Sequence, residues 1–350
     1  MIITAGQFAI LGLAAFALTG LLTWPIRALA IRLGAMDAPN LARKTQAEPV
    51  PYLGGVAIAL GITITVFSAV FVGKGTPDNA NQIQDLAFTI MLPALILGAM
   101  GLFDDLRSLS PWPRLILQII VGSLAAFLIV SNGTTGTPFG TSSMNTFISI
   151  IWIVGICNSI NFFDNLDGAA SGAVAIAALG VFFIAFDRGQ ELIGALSIVT
   201  AGATIGFLMW NKSPAKIYMG DAGALFLGII ISVATIRLNP GIAPTWKSLT
   251  IPVVLLAVPL LDTCVAVFSR IARRVSPLMG GKDHLSHRLV RAGLTRPMAA
   301  IALWAASGVC ALVAFGIYRY SDIYGTALIS VFAAGWLMAL VLFLRTPSHD

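Results

Sequence analysis

Charged side chains are scarce throughout this sequence. Only 10% of its 350 residues are Asp, Glu, Lys or Arg, whereas 57% are hydrophobic, and this balance excludes an ordinary soluble domain. The sequence also lacks a polar stretch long enough to form a separate soluble domain. The composition therefore predicts an integral membrane protein in which residues 1–350 form a single membrane-embedded domain.

Cysteine is also rare. Cys157, Cys264 and Cys310 all fall inside hydrophobic runs, without metal-ligand spacing and without the even number of a disulfide framework. We expect them to be buried structural thiols. The net charge of +6 would suit nucleic-acid binding in a soluble protein, but in a membrane protein it has a simpler use in orienting helices. No nucleic-acid partner is expected.

Apolar runs long enough to span a bilayer recur along the whole chain. They predict an all-α, polytopic helical bundle of about 11 transmembrane helices, because each crossing needs about 20 apolar residues. The first run has no basic residue before it, so we expect an uncleaved helix. The run at 222–237 is short for a full crossing, and Asp262 interrupts the run at 248–269. The predicted spans are residues 4–26, 52–73, 86–103, 114–131, 146–163, 168–186, 192–210, 222–237, 248–269, 297–318 and 323–344.

Basic residues are distributed unequally between the two sets of alternating loops. If the first span ends in the cytoplasm, all but five of the 21 Lys and Arg residues lie on inner loops. The positive-inside rule then predicts an outside amino terminus and a cytoplasmic carboxyl terminus. The five outer residues are Lys74, Arg188, Arg237, Lys247 and Arg319.

Aspartates collect on the same inner side, which the orientation rule does not require. Solvated loops are one explanation for any single aspartate. That explanation is poorer for Asp164 and Asp167, because ionisable groups at membrane depth are expensive and usually functional. Five segments bring carboxylates to this face, and the residues concerned are Asp104, Asp105, Asp164, Asp167, Asp221, Asp262 and Asp283.

Two motifs carry closely spaced oxygen ligands. Asp104 and Asp105 lie where a span meets water, and such a pair suits a divalent cation or a shared proton, although a solvated helix end is an equal alternative. In the segment 158–168, a polar residue recurs at every third position, at 158, 161, 164 and 167. This spacing predicts one side of a helical segment lined with hard oxygen ligands, which favour Mg²⁺ or Mn²⁺ over zinc.

Three inner loops add groups suited to phosphate. The loop 210–223 ends in a glycine-flanked Asp221 at a helix start, where a carboxylate can meet a metal ion. The largest loop, 270–297, places two histidines and several cations near glycines, as expected for phosphate binding or for contact with anionic lipid. The first loop, 37–55, is basic and rich in proline and glycine, which by itself indicates only a loop.

Taken in order, these motifs resemble the polyprenyl-phosphate N-acetylhexosamine-1-phosphate transferase family. The resemblance extends from Asp37 to Leu289. It consists of Asp-x-Pro with Arg-Lys and Pro-x-Pro-x-x-Gly-Gly, then Asp-Asp, then Asn-x-x-Asn-x-x-Asp-x-x-Asp-Gly, then Pro-Ala-x-x-x-x-Gly-Asp, then a histidine loop. It implies a cytoplasmic active site built from the loops 27–52, 104–114, 163–168, 211–222 and 270–297.

The resemblance also implies a role for individual residues. Asp221 would hold Mg²⁺, which Mn²⁺ could replace, with Asn161 as a second ligand. Asp104, Asp105 and Asp164 would be catalytic, acting on the lipid phosphate or the metal. The residues expected to bind substrate are Arg43, Lys44, Arg114, Leu166, Asp167, Asn211, Tyr218, His284, His287 and Arg288. Leu166 and Asp167 would meet uracil, and Tyr218 would stack on it.

Three positions depart from the family pattern. Asn165 replaces a usual glycine, Gln46 a frequent histidine, and Ser286 another histidine, so the sugar-reading part of the site is the least transferable. The first loop resembles the N-acetylglucosamine-phosphate branch more than the muramoyl-pentapeptide branch. The expected substrates are therefore a UDP-N-acetylhexosamine, best UDP-N-acetylglucosamine, and undecaprenyl or another polyprenyl phosphate in the inner or plasma membrane.

The expected reaction is the first membrane step of cell-envelope polysaccharide synthesis, with release of UMP. We favour direct in-line displacement over a covalent aspartyl-phosphate. The muramoyl-pentapeptide transferase stays open as an alternative, and a secondary transporter is the alternative from another class, although no inverted repeat is visible. A homodimer is also possible.

Overall fold

The computed structural model describes residues 3–37, 49–72, 77–107, 109–278 and 280–346, with side chains at all of these positions except 72–87. Nearly all regular structure in these ranges is helical, so the predicted all-α class is confirmed. The helices are α1 (Ala5–Arg32), α2 (Gly54–Val72), α3 (Pro77–Arg107), α4 (Pro111–Ser131), α5 (Ser142–Phe163), α6 (Ala169–Asp187), α7 (Glu191–Asn211), α8 (Gly220–Arg237), α9 (Thr245–Leu255), α10 (Ala257–Ala272), α11 (Leu285–Arg291), α12 (Arg296–Arg319) and α13 (Gly325–Arg345).

Two very short strands lie between α1 and α2. They are β1 (Met36–Asp37) and β2 (Val50–Pro51), and they pair antiparallel with Met36 opposite Pro51 and Asp37 opposite Val50. This ribbon returns the chain to the end of α1 from which it left. Residues 38–48 of the first basic loop lie outside the described residues.

The predicted number of membrane spans is confirmed. Among the described residues, ten helices are long and apolar enough to cross a membrane, and the bent pair of α9 and α10 counts as an eleventh span. The short run predicted at 222–237 forms the single helix α8. All eleven predicted runs coincide with helices, although α1 continues six residues past its predicted end to Arg32.

The ninth predicted span, residues 248–269, is a bent pair of helices. The break lies at Leu256, before the charged Asp262, and the axes of α9 and α10 differ there by 72°. Pro259 in the first turn of α10 explains the break, because proline has no N–H to donate to the carbonyl four residues earlier and its ring clashes there. The bend lets α10 carry Asp262 and Arg270 inward toward the loop that follows.

Helix α8 lies at the centre of the bundle. Of the residues in its membrane-crossing window 78% are buried, against 6% for α13, and α8 packs against α2, α3 and α5. A helix that is apolar on all sides is typical of such a central position. The first turn of α8 is therefore surrounded by the ends of its neighbours, and this arrangement positions the candidate site.

Candidate active site

Three helix ends bring the predicted aspartates together. Asp104 and Asp105 lie in the last turn of α3, Asp221 lies in the first turn of α8, and α5 ends at Phe163 directly before Asp164. Since α3 and α5 end where α8 begins, their polar residues converge at one end of the bundle. The expected meeting of distant segments is therefore present in the fold.

Arg114, in the first turn of α4, links two of these carboxylates. Its Nη1 atom donates to Asp104 Oδ2 and also to Asp221 Oδ2, at 2.5 Å. Asn161 Nδ2 donates to the other oxygen of Asp221 at 2.7 Å, and the Leu109 N–H donates to Asp104 Oδ1 at 2.5 Å. Hydrogen bonds between ionised partners are the strong ones, so this cluster is held tightly.

Asp105 lies beside this cluster and caps α8. Its two carboxylate oxygens accept the backbone N–H groups of Asp221, at 2.9 Å, and Ala222, at 3.1 Å. A carboxylate at this place satisfies two of the N–H groups that a helix start leaves unpaired. The geometry thus gives Asp105 the task of holding Asp221 in place, and its expected contact with lipid phosphate or metal stays a prediction.

The close approach of α3 to α8 depends on glycine. A Cβ atom on Gly101 would meet the backbone of Asp221 and would lie 2.6 Å from the Ala222 nitrogen, closer than any side chain can come. Gly220 has a φ angle of +70°, and a Cβ atom there would lie 2.5 Å from the Asp105 carboxylate. Only glycine fits both positions, so backbone geometry as well as side-chain chemistry shapes the site.

The expected stripe of four polar residues on one helix side needs a correction. Helix α5 ends at Phe163, so Asp164 and Asp167 lie in the turn before α6 rather than on a helix. Asn158 turns toward α4, where its Nδ2 donates to Gln118 Oε1 at 2.6 Å. Of the four residues, Asn161 reaches Asp221 directly.

Asp164 is a carboxylate without a hydrogen-bond donor among the residues that the structure describes. It is half-buried, and burial together with the negative charges of Asp221 and Asp167 raises the pKa of Asp164 from 3.8 to about 7. Such a group takes up a proton or a cation readily near neutral pH. It is therefore the side chain in this cluster best suited to receive a positive ligand.

A second group of predicted residues joins the α5–α6 turn to the loop before α8. Asp167 Oδ2 accepts the Ala215 N–H at 3.0 Å, while the buried Asn211 accepts from Gly168 N–H and donates to the Ile217 carbonyl, at 3.1 and 3.0 Å. These bonds engage both ends of the Asn211 amide. Asn211 thus orients the turn itself, and its contact with a nucleotide stays a prediction.

The backbone of Tyr218 is hydrogen-bonded to the segment that joins β2 to α2. Its N–H donates to the Pro51 carbonyl at 2.8 Å, and its carbonyl accepts the Gly54 N–H at 2.9 Å. The ring is half-buried, and burial with the nearby charge of Asp167 raises the pKa of Tyr218 above its usual value. The phenol therefore stays neutral, as a stacking platform requires, and Leu166 lies half-buried at the core edge beside the same turn.

The histidine segment is held by buried hydrogen bonds and by one buried ion pair. His284 Nδ1 lies 2.7 Å from Asp262 Oδ2, and Arg270 Nε donates to Asp283 Oδ2 at 2.6 Å. Ser286 Oγ donates to Asn165 Oδ1, so this segment is tied to the turn that carries Asp164. The two positions that depart from the family pattern in these loops therefore contact each other.

Arg288 does not face the aspartates. It is 1% exposed and donates to the carbonyls of Asp283 and Phe343, at 2.9 and 2.5 Å, to the carbonyl of Thr346, and to Ser269 Oγ at 2.5 Å. These bonds fasten α11 to the end of α13. The predicted contact of Arg288 with substrate stays a prediction, and the burial of the side chain argues against it. The predicted Arg43 and Lys44, with Gln46, lie outside the described residues.

Two residues near this segment were not among the predicted site residues. Asp262 and Arg270 are buried within α10 and both contact His284. An ionisable residue inside an apolar run is itself a signal of function, and Asp262 carries that signal in the sequence. Arg270 carries none, because it looks like one of several basic residues at a cytoplasmic helix end.

The donor set fits a hard divalent cation that is completed by substrate. Among the described residues, no group of three or more His, Cys, Asp or Glu side chains is arranged to hold a metal ion. Mg²⁺ usually takes only one or two protein carboxylates and fills its shell with water and substrate phosphates. Asp221 and Asp164 supply two carboxylates, and the amide of Asn161 has its oxygen left to offer.

The chain is similar in sequence to known transferases. Residues 87–239 match the profile described as Glycosyl transferase family 4. The chain is 34% identical to a probable undecaprenyl-phosphate N-acetylglucosaminyl 1-phosphate transferase of Bacillus subtilis, over 93% of this chain and 86% of that protein. It is 31% identical to the decaprenyl-phosphate N-acetylglucosaminephosphotransferase of Mycolicibacterium smegmatis, over 89% and 81%. A phospho-N-acetylmuramoyl-pentapeptide-transferase of Streptococcus thermophilus is 32% identical, but over only 54% of this chain.

Proposed function

This chain belongs to glycosyl transferase family 4, and we propose that it transfers N-acetylglucosamine 1-phosphate from UDP-N-acetylglucosamine to a polyprenyl phosphate, releasing UMP. The names of the two relatives aligned over most of the chain support this substrate class. The observation that carries the proposal is the meeting of Asp104, Arg114 and Asp221 at one end of a membrane bundle. A lipid-borne acceptor and a soluble nucleotide sugar can meet only at such an end.

The proposed reaction is a single displacement at phosphorus. An oxygen of the lipid phosphate attacks the β-phosphorus of the nucleotide sugar and forms the new P–O bond. The bond from that phosphorus to the bridging oxygen breaks, and UMP leaves with the electron pair. Such reactions depend mainly on positioning and on charge stabilisation, because little covalent chemistry is left for the protein to perform.

The residues of this chain would divide that task. Arg114 has donors aimed at oxyanions, and the substrate diphosphate can compete with Asp104 and Asp221 for them. Asp105 keeps Asp221 at the start of α8, while Tyr218 and the Asp167 turn form the wall proposed for the uridine. Mg²⁺ or Mn²⁺, held by Asp221, Asp164 and Asn161, would neutralise phosphate charge when bound.

The proposed site faces the cytoplasm. The excess of Lys and Arg on the loops at the aspartate end supports this orientation, with the amino terminus outside and the carboxyl terminus inside. The enzyme would then act in the inner or plasma membrane on a nucleotide sugar made in the cytoplasm. The product would be a lipid-linked sugar diphosphate, a precursor for cell-envelope polysaccharide.

A UMP-release assay tests the proposal. Detergent-purified protein with UDP-N-acetylglucosamine, undecaprenyl phosphate and MgCl₂ should release UMP, and EDTA should stop the release until Mg²⁺ or Mn²⁺ is restored. Asp221→Asn should be inactive, whereas Asp187→Asn, at the other end of the bundle, should be active. Faster turnover of the muramoyl-pentapeptide nucleotide would replace the proposed donor. Absence of UMP with every UDP-N-acetylhexosamine would favour a transporter.

A protein-labelling experiment distinguishes direct displacement from a two-step reaction through a covalent enzyme intermediate. If displacement is direct, protein mixed with radiolabelled nucleotide sugar and Mg²⁺, but without lipid, stays unlabelled. A trapped phosphorylated Asp104 or Asp105 would overturn direct displacement and leave the overall reaction standing.

A further inference from the structure

Asp262 is a buried carboxylate that the proposed mechanism does not use. It is 0% exposed in the apolar helix α10, and its two oxygens have separate partners. Oδ2 lies 2.7 Å from His284 Nδ1, and Oδ1 accepts the Leu285 N–H at 2.7 Å. Burying a carboxylate is costly unless it is hydrogen-bonded, so the two bonds explain how Asp262 is tolerated there.

Arg270 reaches the opposite side of the His284 ring. Its Nη2 atom lies 3.2 Å from His284 Nε2. Arginine can only donate hydrogen bonds and an ionised carboxylate can only accept them. Nε2 must therefore be the accepting nitrogen, and Nδ1 must carry the hydrogen that Asp262 accepts. His284 is held as one neutral tautomer, and both of its nitrogens are engaged by the protein.

His287 lies within α11, whereas His284 is the residue directly before the first turn of that helix. Its ring packs edge-on against the His284 ring, with the centroids 6.2 Å apart. Neither of its nitrogens has a hydrogen-bond partner among the described residues, and burial lowers the pKa of His287 to about 4. His287 is therefore a neutral imidazole whose donor and acceptor nitrogens have no partner among the described residues. Both nitrogens of His284, in contrast, are bonded by the protein.

The ring of Phe162 connects the histidine segment to the aspartates. The guanidinium of Arg270 lies over the ring of Phe162, 5.3 Å from its centroid, and the same ring meets His284 edge-on at 6.0 Å. Phe162 adjoins Asn161, which bonds Asp221. A change at Asp262 would therefore be transmitted through His284 to the face of α11 and to the position of His287.

We infer that Asp262 is a positioning residue that acts through His284, and that His287, rather than His284, is the imidazole that contacts the substrate. This inference rests on the proposed function, because the substrate meant is the nucleotide sugar of that reaction. It assigns to the buried Asp262 and Arg270 a role in turnover that neither residue could perform by direct contact.

Kinetics of matched variants test the positioning role. Asp262→Asn should lower kcat for UMP release about 10- to 100-fold, because a displacement of His287 by about 1 Å would misplace the substrate, with a smaller change in KM for the nucleotide sugar. Asp262→Glu should recover part of the loss because both of its carboxylate oxygens accept hydrogen bonds, whereas asparagine has only one acceptor oxygen. Asp187→Asn, an equal change at the opposite end of the bundle, should keep wild-type kcat. An unchanged kcat in folded Asp262→Asn would overturn the inference.

Nitrogen-15 NMR tests the tautomer without relying on turnover. The full chain has only three histidines, so ¹⁵N-imidazole labelling with His287→Gln and His349→Gln assigns His284. In the wild type, His284 should show a protonated Nδ1 and a bare Nε2. Addition of UDP-N-acetylglucosamine with MgCl₂ should shift the His287 signals and leave those of His284 in place.

The two experiments fail in distinguishable ways. If the wild type releases no UMP, the proposed function is wrong, whereas the tautomer of His284 still reports on Asp262 and Arg270. If Asp262→Asn does not fold, the wild-type spectrum decides: a protonated Nε2 on His284, or a substrate-induced shift of His284 instead of His287, contradicts the inference.

Discussion

A single guanidinium, that of Arg114, lies between carboxylates of two different helices. Asp104 comes from α3 and Asp221 from α8, and Arg114 donates to both from the start of α4. Asp164 lies beside them without a donor of its own among the described residues. At the scale of single residues, the site therefore holds three neighbouring aspartates, and Arg114 neutralises their negative charge only in part.

Replacing Arg114 by lysine should greatly slow the reaction. A lysine ammonium is a compact charge without the planar fork that lets arginine engage two oxyanions, so the positioning of the diphosphate is lost. We expect kcat for UMP release to fall about 100-fold, with a smaller change in KM. Arg107→Lys, an exposed position in the same α3–α4 hairpin, is the control and should stay within about 2-fold. Equal effects of the two substitutions would contradict this role.

Replacing Asp164 by asparagine should stabilise the protein in EDTA at high pH. The folded-state pKa of Asp164 is raised to about 7 from 3.8, so ionisation favours the unfolded chain as pH rises between these values. The stability gain of Asp164→Asn should be about 1–3 kcal/mol at pH 8, shrink as pH falls, and vanish below about pH 4.

Thermal unfolding followed by tryptophan fluorescence from pH 4 to pH 8 measures this effect. Asp322→Asn, an exposed carboxylate, is the control and should show no such trend. A Tm difference between Asp164→Asn and the wild type that is the same at every pH would show that ionisation of Asp164 does not destabilise the folded protein.

At the scale of elements, the first turn of α8 depends on its neighbours. Asp105 of α3 accepts two of its N–H groups, β2 and the start of α2 pair with the residues just before it, and α3 lies against it at Gly101. The position of Asp221 is thus set by contacts to the backbone of this turn, independently of its carboxylate. Most of the site residues that the structure describes lie on helices or in the short segments next to them, so the packing of the helices sets their positions.

A methyl group at Gly101 should disturb both packing and activity. The added Cβ would overlap the backbone of Asp221, and overpacking of this kind costs about 1–3 kcal/mol. Gly101→Ala should therefore lower Tm and reduce UMP release. Gly155→Ala in α5 is the matched control, because nothing lies within 4 Å of its added Cβ, and it should be neutral or slightly stabilising. Wild-type Tm and activity in Gly101→Ala would refute the close contact.

At the scale of the whole molecule, eleven candidate spans, with the bent pair of α9 and α10 counted as one, predict that the two ends of the chain lie on opposite sides of the membrane. Helix α13 contributes few buried residues and faces outward along most of its length. Lipid covers such a surface in a monomer. The predicted homodimer stays a prediction, which analytical ultracentrifugation in detergent measures directly.

Fusion proteins test the proposed orientation. A fluorescent protein fused after Asp350 should fluoresce, because it stays in the cytoplasm, and alkaline phosphatase at the same place should be inactive. A tag before Met1 should be cleaved by protease added to intact spheroplasts. The opposite pattern would place the aspartates outside and would contradict the cytoplasmic site, while the helical bundle would stand.

Much of this architecture could be predicted because membrane helices are encoded locally. Runs of about 20 apolar residues need no long-range information, since every backbone group in lipid must be satisfied within the helix. The positions of Asp104, Asp164 and Asp221 at helix ends follow from the same runs. The apolar run 248–269 does not by itself show the break at Leu256, which depends on Pro259 and on how α9 and α10 pack.

The sequence by itself determined the membrane class, the approximate number of spans and the set of candidate site residues, because those depend on composition and on short-range pattern. Only the tertiary structure decided the partners: that Asp105 caps α8, that Arg288 fastens α11 to α13, and that Asp262 and Arg270 hold His284 between them. Each of these is a contact between segments distant in the chain or in different helices. Hydrogen-bond direction and burial depend on how the helices pack, and no local pattern specifies them.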